Sequence, residues 1–479
     1  MEHTTEITLS TDLLQLITTD QAWHYGIIPK SNGEKAMVFY ANESTWGATH
    51  QEALEMLLGV KVSVELMPST VINAALGKYY RKSARKDNQV RGNFNPNSED
   101  FIFQLIAEAD SIDSSDIHIE RYEDRCRIRF RIDGKLLERY VIEKGDYPAI
   151  INKMKIMANL DIAEKRLPQD GRISFNRNQQ KFDIRVSVLP TLHGEKIVMR
   201  LLSKDATDIN IEKLGFKQDQ LASYLEGIKK PHGIILISGP TGSGKTTTLY
   251  ATLKILNEDK TNILTVEDPI EYTLEGINQV QLKENIGLTF AGALRSFLRQ
   301  DPDVIMLGEI RDGETAQMAI RAALTGHLVL STIHTNSAWG TISRLIDMGV
   351  PSFLLASTLN TSVAQRLVRL LCSNCKQVAP FNESLFPSTF KAPKTVQEHY
   401  QSVGCEECYY SGYLGRKAIY EIIPVDLEIS QKIKQNDFNI EQLLKEKGIE
   451  TLSDNAFQLF ANGETSIEEI YAILTTNNQ

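Results

Sequence analysis

The spacing of apolar and polar positions changes several times along this chain, and each change marks an element. Residues 234–237, 263–266, 304–307 and 328–333 are short, β-branched, almost wholly apolar runs, the pattern of strands buried on both faces. Helically spaced segments separate them, so residues 213–371 predict a doubly wound α/β sheet. Upstream, residues 125–132 and 136–142 read as strands, and Asp133-Gly134 between them predicts a two-residue hairpin turn. Residues 182–188 and 196–202 predict further strands, and a helix is expected to begin near Asp100. Residues 1–80 mix short apolar runs with helical stretches at 49–58 and 69–80, as a small α+β domain would. The polar, Asn/Gly/Pro-rich stretch after Tyr80 predicts a linker, and from Ile429 onward the pattern is helical with polar faces. The expected division is an N-terminal domain at 1–85, a linker at 86–97, a second α+β domain at 98–204, an α/β core at 205–371, a cysteine subdomain at 372–409 and a helical region at 410–479.

A length of 479 residues fits about three domains, and 42% hydrophobic residues suffice for packed cores. The net charge of −9, from 52 basic and 61 acidic residues, argues against a direct nucleic-acid partner. No apolar run approaches the roughly 18 residues that span a bilayer. Met1–Glu6 lacks the basic-then-apolar layout of a signal peptide. The expectation is a cytoplasmic chain without a transmembrane segment, reaching any membrane through partners. Basic residues near Tyr79 and Tyr80 read as a solvated helix end rather than a nucleic-acid patch.

The chemistry begins at Gly239-Pro240-Thr241-Gly242-Ser243-Gly244-Lys245-Thr246, with Thr247 following. A predicted strand precedes it and a predicted helix follows, the context that a phosphate-binding P-loop requires. Glycines let backbone N–H groups crowd a phosphate, and the helix N-terminus adds a favourable dipole. Lys245 is placed for the β- and γ-phosphates of ATP, and the Thr246 hydroxyl for Mg²⁺. Three later strand ends face the same ligand side. Glu267-Asp268 can hold a water for in-line attack on the γ-phosphate. Asp303–Glu309 is an apolar strand ending in an acid, a Walker B arrangement in which Gly308 stands where most such enzymes carry Asp. Glu309 is therefore the candidate Mg²⁺ and water-polarising group. His327 and His334 flank one predicted strand, and His334, at its carboxyl end, is the better candidate for sensing the γ-phosphate.

These motifs, in this order, resemble the secretion-ATPase superfamily, the traffic motors of type II secretion and type IV pili. Glu267 falls in the family's Asp box, Gly308-Glu309 in its atypical Walker B, and His327–His334 in its His box. Ser115–Glu120 and Leu167–Arg172 extend the likeness upstream. The resemblance implies a RecA-like P-loop core with a smaller PAS-like α+β domain, and a homo-hexamer. It also implies arginine fingers at Arg185, Arg200, Arg295 and Arg299, reaching the nucleotide as domains close. Docking on cytoplasmic domains of inner-membrane platform proteins, and peripheral membrane association, come with it.

Cys372-x-x-Cys375 and Cys405-x-x-Cys408, 29 residues apart, use four of five cysteines. Two pairs on tight turns suit a closed tetrahedral Zn²⁺ site, whereas redox chemistry needs only one pair. By resemblance, retraction motors lack this tetracysteine, and secretion or pilus-assembly motors carry it. With one N-terminal recruitment domain, the chain resembles the type II secretion motor, driving pseudopilus assembly, more than the longer pilus-extension motor. A DNA translocase and a non-catalytic nucleotide-gated scaffold are the rivals. The first conflicts with the charge, the second with the presence of Lys245, Glu267 and Glu309 together.

Overall fold

The computed structural model describes residues 7–475 apart from 8, 10–12, 14–15, 18, 33–35, 59, 124, 178–179 and 438 and the longer stretches 81–99 and 202–208. The expected linker at 86–97 lies outside the described residues. The chain divides into two compact units, one of residues 1–203, 371–378 and 401–415, the other of 204–370, 379–400 and 416–479. This is coarser than the six segments expected.

In the first unit, β1 (Ile27–Asn32), β2 (Ala36–Asn42) and β3 (Lys61–Met67) form a three-stranded sheet with its own small core around Phe39, Leu54 and Leu76. A larger sheet follows from β4 (Asp116–Arg121), β5 (Cys126–Ile132), β6 (Lys135–Ile142), β7 (Gln169–Arg177), β8 (Gln180–Thr191) and β9 (Gly194–Leu201), ordered β6-β5-β4-β9-β8-β7. Asp133 and Gly134 both take positive φ at the β5–β6 turn, as Asp-Gly pairs allow. Alternate residues (Ile117, Ile119, Ile128, Phe130, Val186, Met199) pack under the helices Phe101–Ser111 and Tyr147–Met157. The other face is charged, because a half-covered antiparallel sheet keeps a period of two.

The second unit is built on β10 (Gly233–Ser238), β11 (Ile263–Glu267), β12 (Asn278–Gln281), β13 (Val304–Leu307), β14 (Leu328–Ile333), β15 (Leu359–Leu371) and β18 (Tyr413–Pro424), after the small ribbon strands β16 (Gln377–Pro380) and β17 (Glu398–Gln401). Its order is β12-β11-β13-β14-β10-β15-β18, and neighbouring strands from β12 to β15 run parallel. Both faces are buried: Ile234 and Leu236 enter one core, Ile235 and Ile237 the other.

Two expectations are corrected here. Residues 410–479 are not helical throughout, since Tyr413–Pro424 is a sheet strand. Ala418, Tyr420 and Ile422 pack on one face while Ile419 and Ile423 pack on the other, a period of two that an apolar run conceals. The spacer between the cysteine pairs does not form a subdomain with them. Its Phe381, Phe386 and Phe390 pack against Phe457 and Phe460 of the C-terminal helix Leu452–Ala461, which is why 379–400 belong to the second unit. The helices after Leu427 likewise bury Ile429, Ile433, Leu444 and Ile470 in the core.

Candidate active site

The P-loop joins β10 to the helix Lys245–Leu256. Gly239, Gly242 and Gly244 take φ of 151°, 80° and 86°, which side-chain-bearing residues avoid. At Gly239 space is also missing: a Cβ would lie 2.5 Å from the Gln365 carbonyl oxygen and 2.6 Å from Ser243 Oγ. Ser243 is buried, and its hydroxyl has no hydrogen-bond partner, so a polar group is left facing the loop. Lys245 Nζ donates to the carbonyls of Gly239 (2.8 Å) and Pro240 (3.0 Å). Burial brings its pKa down to about 8, Glu309 opposing the shift and Arg366 adding to it. Thr246 is exposed and Thr247 half-buried beside the opening. An orphaned hydroxyl, a glycine cradle, a helix N-terminus and a lysine fit the phosphates of a nucleoside triphosphate.

Glu309 leaves the sheet just after β13. A Cβ at Gly308 would lie 3.3 Å from the β11 backbone at Val266 and Glu267, so an aspartate at the first position of this acidic motif would be tightly crowded. The Glu309 carboxylate accepts from Arg311 Nη2 at 2.6 Å and lies 3.4 Å from His334 Nε2. The Arg311 bond is the chief reason its pKa is held below the usual range, with His334 and Lys245 adding to it. Asp268 approaches Arg311 from the other side, at 3.8 Å. Glu309, Arg311, His334, Asp268 and Lys245 thus share one electrostatic neighbourhood. Arg311 was legible only as part of the acidic motif, with no signal of its own.

Glu267 is placed differently from the expectation that it faces the γ-phosphate. It is 3% exposed. Its carboxylate accepts from Tyr250 Oη, from Thr265 Oγ1 at 2.6 Å and from Gln279 Nε2 at 3.1 Å. Strand alternation explains this, since Thr265 and Glu267 point to the side where the P-loop helix carries Tyr250. His327 sits at the opposite end of β14 from His334 and bonds the Ala322 carbonyl at 2.9 Å, as a helix-end partner.

The arginines separate into two groups. Arg185 and Arg200 are cross-strand neighbours on β8 and β9, and Arg200 Nε donates to Asp116 Oδ1 at 3.0 Å. Arg295 pairs with Glu314 on the surface, and Arg299 Nη1 donates to the Arg295 carbonyl at 2.9 Å. Neither of the latter two bonds the P-loop.

The four cysteines converge in the first unit, all sulfurs within 4.8 Å of one another. The Cys372–Cys405, Cys375–Cys408 and Cys405–Cys408 separations are each 3.8 Å. A tetrahedron with Zn–S bonds of about 2.3 Å has edges of about 3.8 Å, so the set fits Zn²⁺. Backbone N–H groups of Gly404 and Gly412 point at Cys375 and Cys408 sulfurs from 3.3 Å, as they would at thiolates. Together these residues can hold a structural metal with no open position. Among the described residues no helix is long and apolar enough to cross a membrane.

A parallel sheet carrying a P-loop, with an acid and a histidine on the adjoining strand ends, defines a RecA-like P-loop ATPase. The chain belongs to the type II/IV secretion system protein family, whose sequence profile matches residues 95–472. It is 46% identical over 373 residues to the type II secretion system protein HxcR of Pseudomonas aeruginosa, covering 77% of this chain and 76% of that one. The type IV pilus assembly ATPase PilB of Myxococcus xanthus is 40% identical over 489 residues, covering 96% and 86% respectively. Among solved structures, the pilus retraction motor PilT with bound ADP superimposes with a TM-score of 0.53 at 26% identity, over 78% of this chain and 96% of that one. The ATPase DotB of Legionella pneumophila shares the fold, with a TM-score of 0.59 at 21% identity over 81% and 98%. The chain is an ATP-hydrolysing enzyme of this family.

Proposed function

We propose that the protein is a cytoplasmic, homo-hexameric motor of a type II secretion system, hydrolysing ATP to drive pseudopilus assembly and protein export. The observation that carries the reading is the P-loop with Glu309 and His334 converging beside it, in a chain 46% identical to a type II secretion protein over 77% of its length. Lys245 and the loop amides hold the β- and γ-phosphates, while Thr246 and Glu309 hold Mg²⁺, which supplies charge neutralisation. Glu309 also orients and polarises the attacking water, and His334 reads the γ-phosphate through it. Glu267 acts behind this layer, fixing the P-loop helix through Tyr250. Arg185 and Arg200, cross-strand neighbours on β8 and β9, and Arg295 and Arg299 of the core are the finger candidates; Arg200 is paired with Asp116 and Arg295 with Glu314. Zn²⁺ on Cys372, Cys375, Cys405 and Cys408 holds its module together. Inner-membrane platform proteins dock the motor through their cytoplasmic domains.

A second reading, the pilus-extension ATPase, is favoured by one fact: the Myxococcus PilB match spans 96% of the chain, N-terminal residues included. Deleting the gene in its host and restoring it as parental or Lys245→Ala separates the two. Export lost from the medium while surface pili persist supports type II secretion. Pili lost while export persists overturns it.

A further inference from the structure

β15 lies beside the P-loop strand, in parallel register with Ser238 opposite Ala364, so the next two residues emerge against the phosphate loop. Gln365 is 2% exposed and accepts the Thr248 hydroxyl at 2.9 Å, reaching the first turn of the P-loop helix. Its side-chain nitrogen would lie 2.9 Å from a Cβ on Gly244. Arg366 turns the other way. Its Nη2 donates to the Asn336 carbonyl at 2.8 Å, two residues beyond His334, and its Nη1 donates to the Gln365 carbonyl at 3.0 Å. A Cβ on Gly239 would meet that same Nη1 at 3.1 Å, so the guanidinium abuts the first residue of the P-loop. Among the described residues no carboxylate forms an ion pair with Arg366. The buried Glu421 acts on it electrostatically without pairing with it. A half-buried arginine without an ion-pair partner is costly unless another role retains it.

We propose that Arg366 is a positioning residue of the ATP site, clamping the loop that carries His334 to the rim of the P-loop and so fixing the γ-phosphate end of the pocket. The proposal rests on the reading of this pocket as the site of ATP hydrolysis. The planar fork is what the task needs: one terminal nitrogen reaches the Asn336 carbonyl on the His334 loop, while the other is braced on the carbonyl of the preceding residue, Gln365, beside Gly239. A lysine, with one nitrogen, reaches one. The clamp acts on the end of the pocket that ADP does not occupy. It should therefore matter for ATP and for turnover, and little for ADP.

The test uses the full-length protein and four variants: Arg366→Ala, Arg366→Lys, His334→Ala and Lys245→Ala. Steady-state phosphate release, affinities for ADP and for a non-hydrolysable ATP analogue, and Tm are measured for each. Arg366→Ala should lower kcat at least tenfold and weaken analogue binding at least fivefold, with ADP affinity within about twofold and Tm within a few degrees. Arg366→Lys should recover less than half of the lost kcat. In the His334→Ala background, adding Arg366→Ala should cost much less than it does alone, because the clamp works through that loop. A folded Arg366→Ala protein with parental kcat, an equal loss of ADP and analogue affinity, or full rescue by lysine each overturns the proposal. Failure of the underlying reading is distinct: Lys245→Ala would then hydrolyse ATP at the parental rate.

Discussion

Replacing Glu309 by Gln separates binding from chemistry. The carboxylate is 18% exposed and engaged by Arg311 at 2.6 Å, with His334 at 3.4 Å. The amide keeps the shape and one acceptor, but loses the charge that, on the proposed reading, holds Mg²⁺ and polarises water. Arg311 is 53% exposed, so its lost partner should cost stability less than ~1 kcal/mol. Losing one preorganised electrostatic group at the reacting centre costs about 3–4 kcal/mol of transition-state stabilisation, a fall in kcat of roughly 10²–10³. ADP should bind nearly as before, since Lys245 and the loop amides are untouched. A second signature follows from Lys245. Its pKa, brought down by burial to about 8, is held up by the Glu309 charge. The protonated lysine binds phosphate, so kcat/KM should fall as pH rises through about 8 in the parental enzyme. Without the Glu309 charge the lysine gives up its proton more readily, and that alkaline limb should move to lower pH. The assays are steady-state phosphate release from pH 6 to 9 and equilibrium ADP binding. Near-parental release, or an alkaline limb that stays put or moves upward, would refute the assignment.

Three further substitutions probe the surroundings. Tyr250→Phe removes one donor from the buried Glu267 carboxylate. It should cost about 1.5–3 kcal/mol, read as a fall in Tm of roughly 3–10 °C; an unchanged Tm would show that the bond does not support the P-loop helix. Gly239→Ala forces a Cβ to within 2.5 Å of the Gln365 carbonyl at a φ of 151°, and should abolish measurable nucleotide binding while circular dichroism shows the fold retained. Cys405→Ser should leave zinc well below one per chain, lower solubility and abolish export in cells, while ATPase activity per folded molecule persists. A Zn²⁺ site of this kind contributes on the order of 10–16 kcal/mol in small domains, so folded, active protein purified without zinc would overturn the structural role.

Much of the site could be read from the chain because its parts are local. The P-loop occupies eight consecutive residues, and its glycine conformations follow from covalent sterics. The Glu309 and His334 motifs each end an apolar run that can only be a buried strand, and each CxxC is a single turn. Local order also gave the Asp-Gly hairpin. β15 and β18 were not legible, because Leu359–Leu371 mixes polar and apolar residues without a clean period and the apolar run within Tyr413–Pro424 conceals the one it has. Only the neighbours on each sheet face decide which of them are core.

Residue type and spacing along the chain thus bring out the class of chemistry, the glycine loop and the four cysteines that converge. The tertiary structure alone decides what surrounds each of those groups. Glu267 reads as a catalytic acid in one dimension, yet pairing of β11 with its neighbours and packing of the P-loop helix turn it onto Tyr250, Thr265 and Gln279. Arg366 carries no motif, yet parallel pairing of β15 with β10 sets it against a loop 127 positions earlier, at Gly239. Contacts of that kind arise from the order of strands in the sheet, which long-range burial fixes and local pattern does not record.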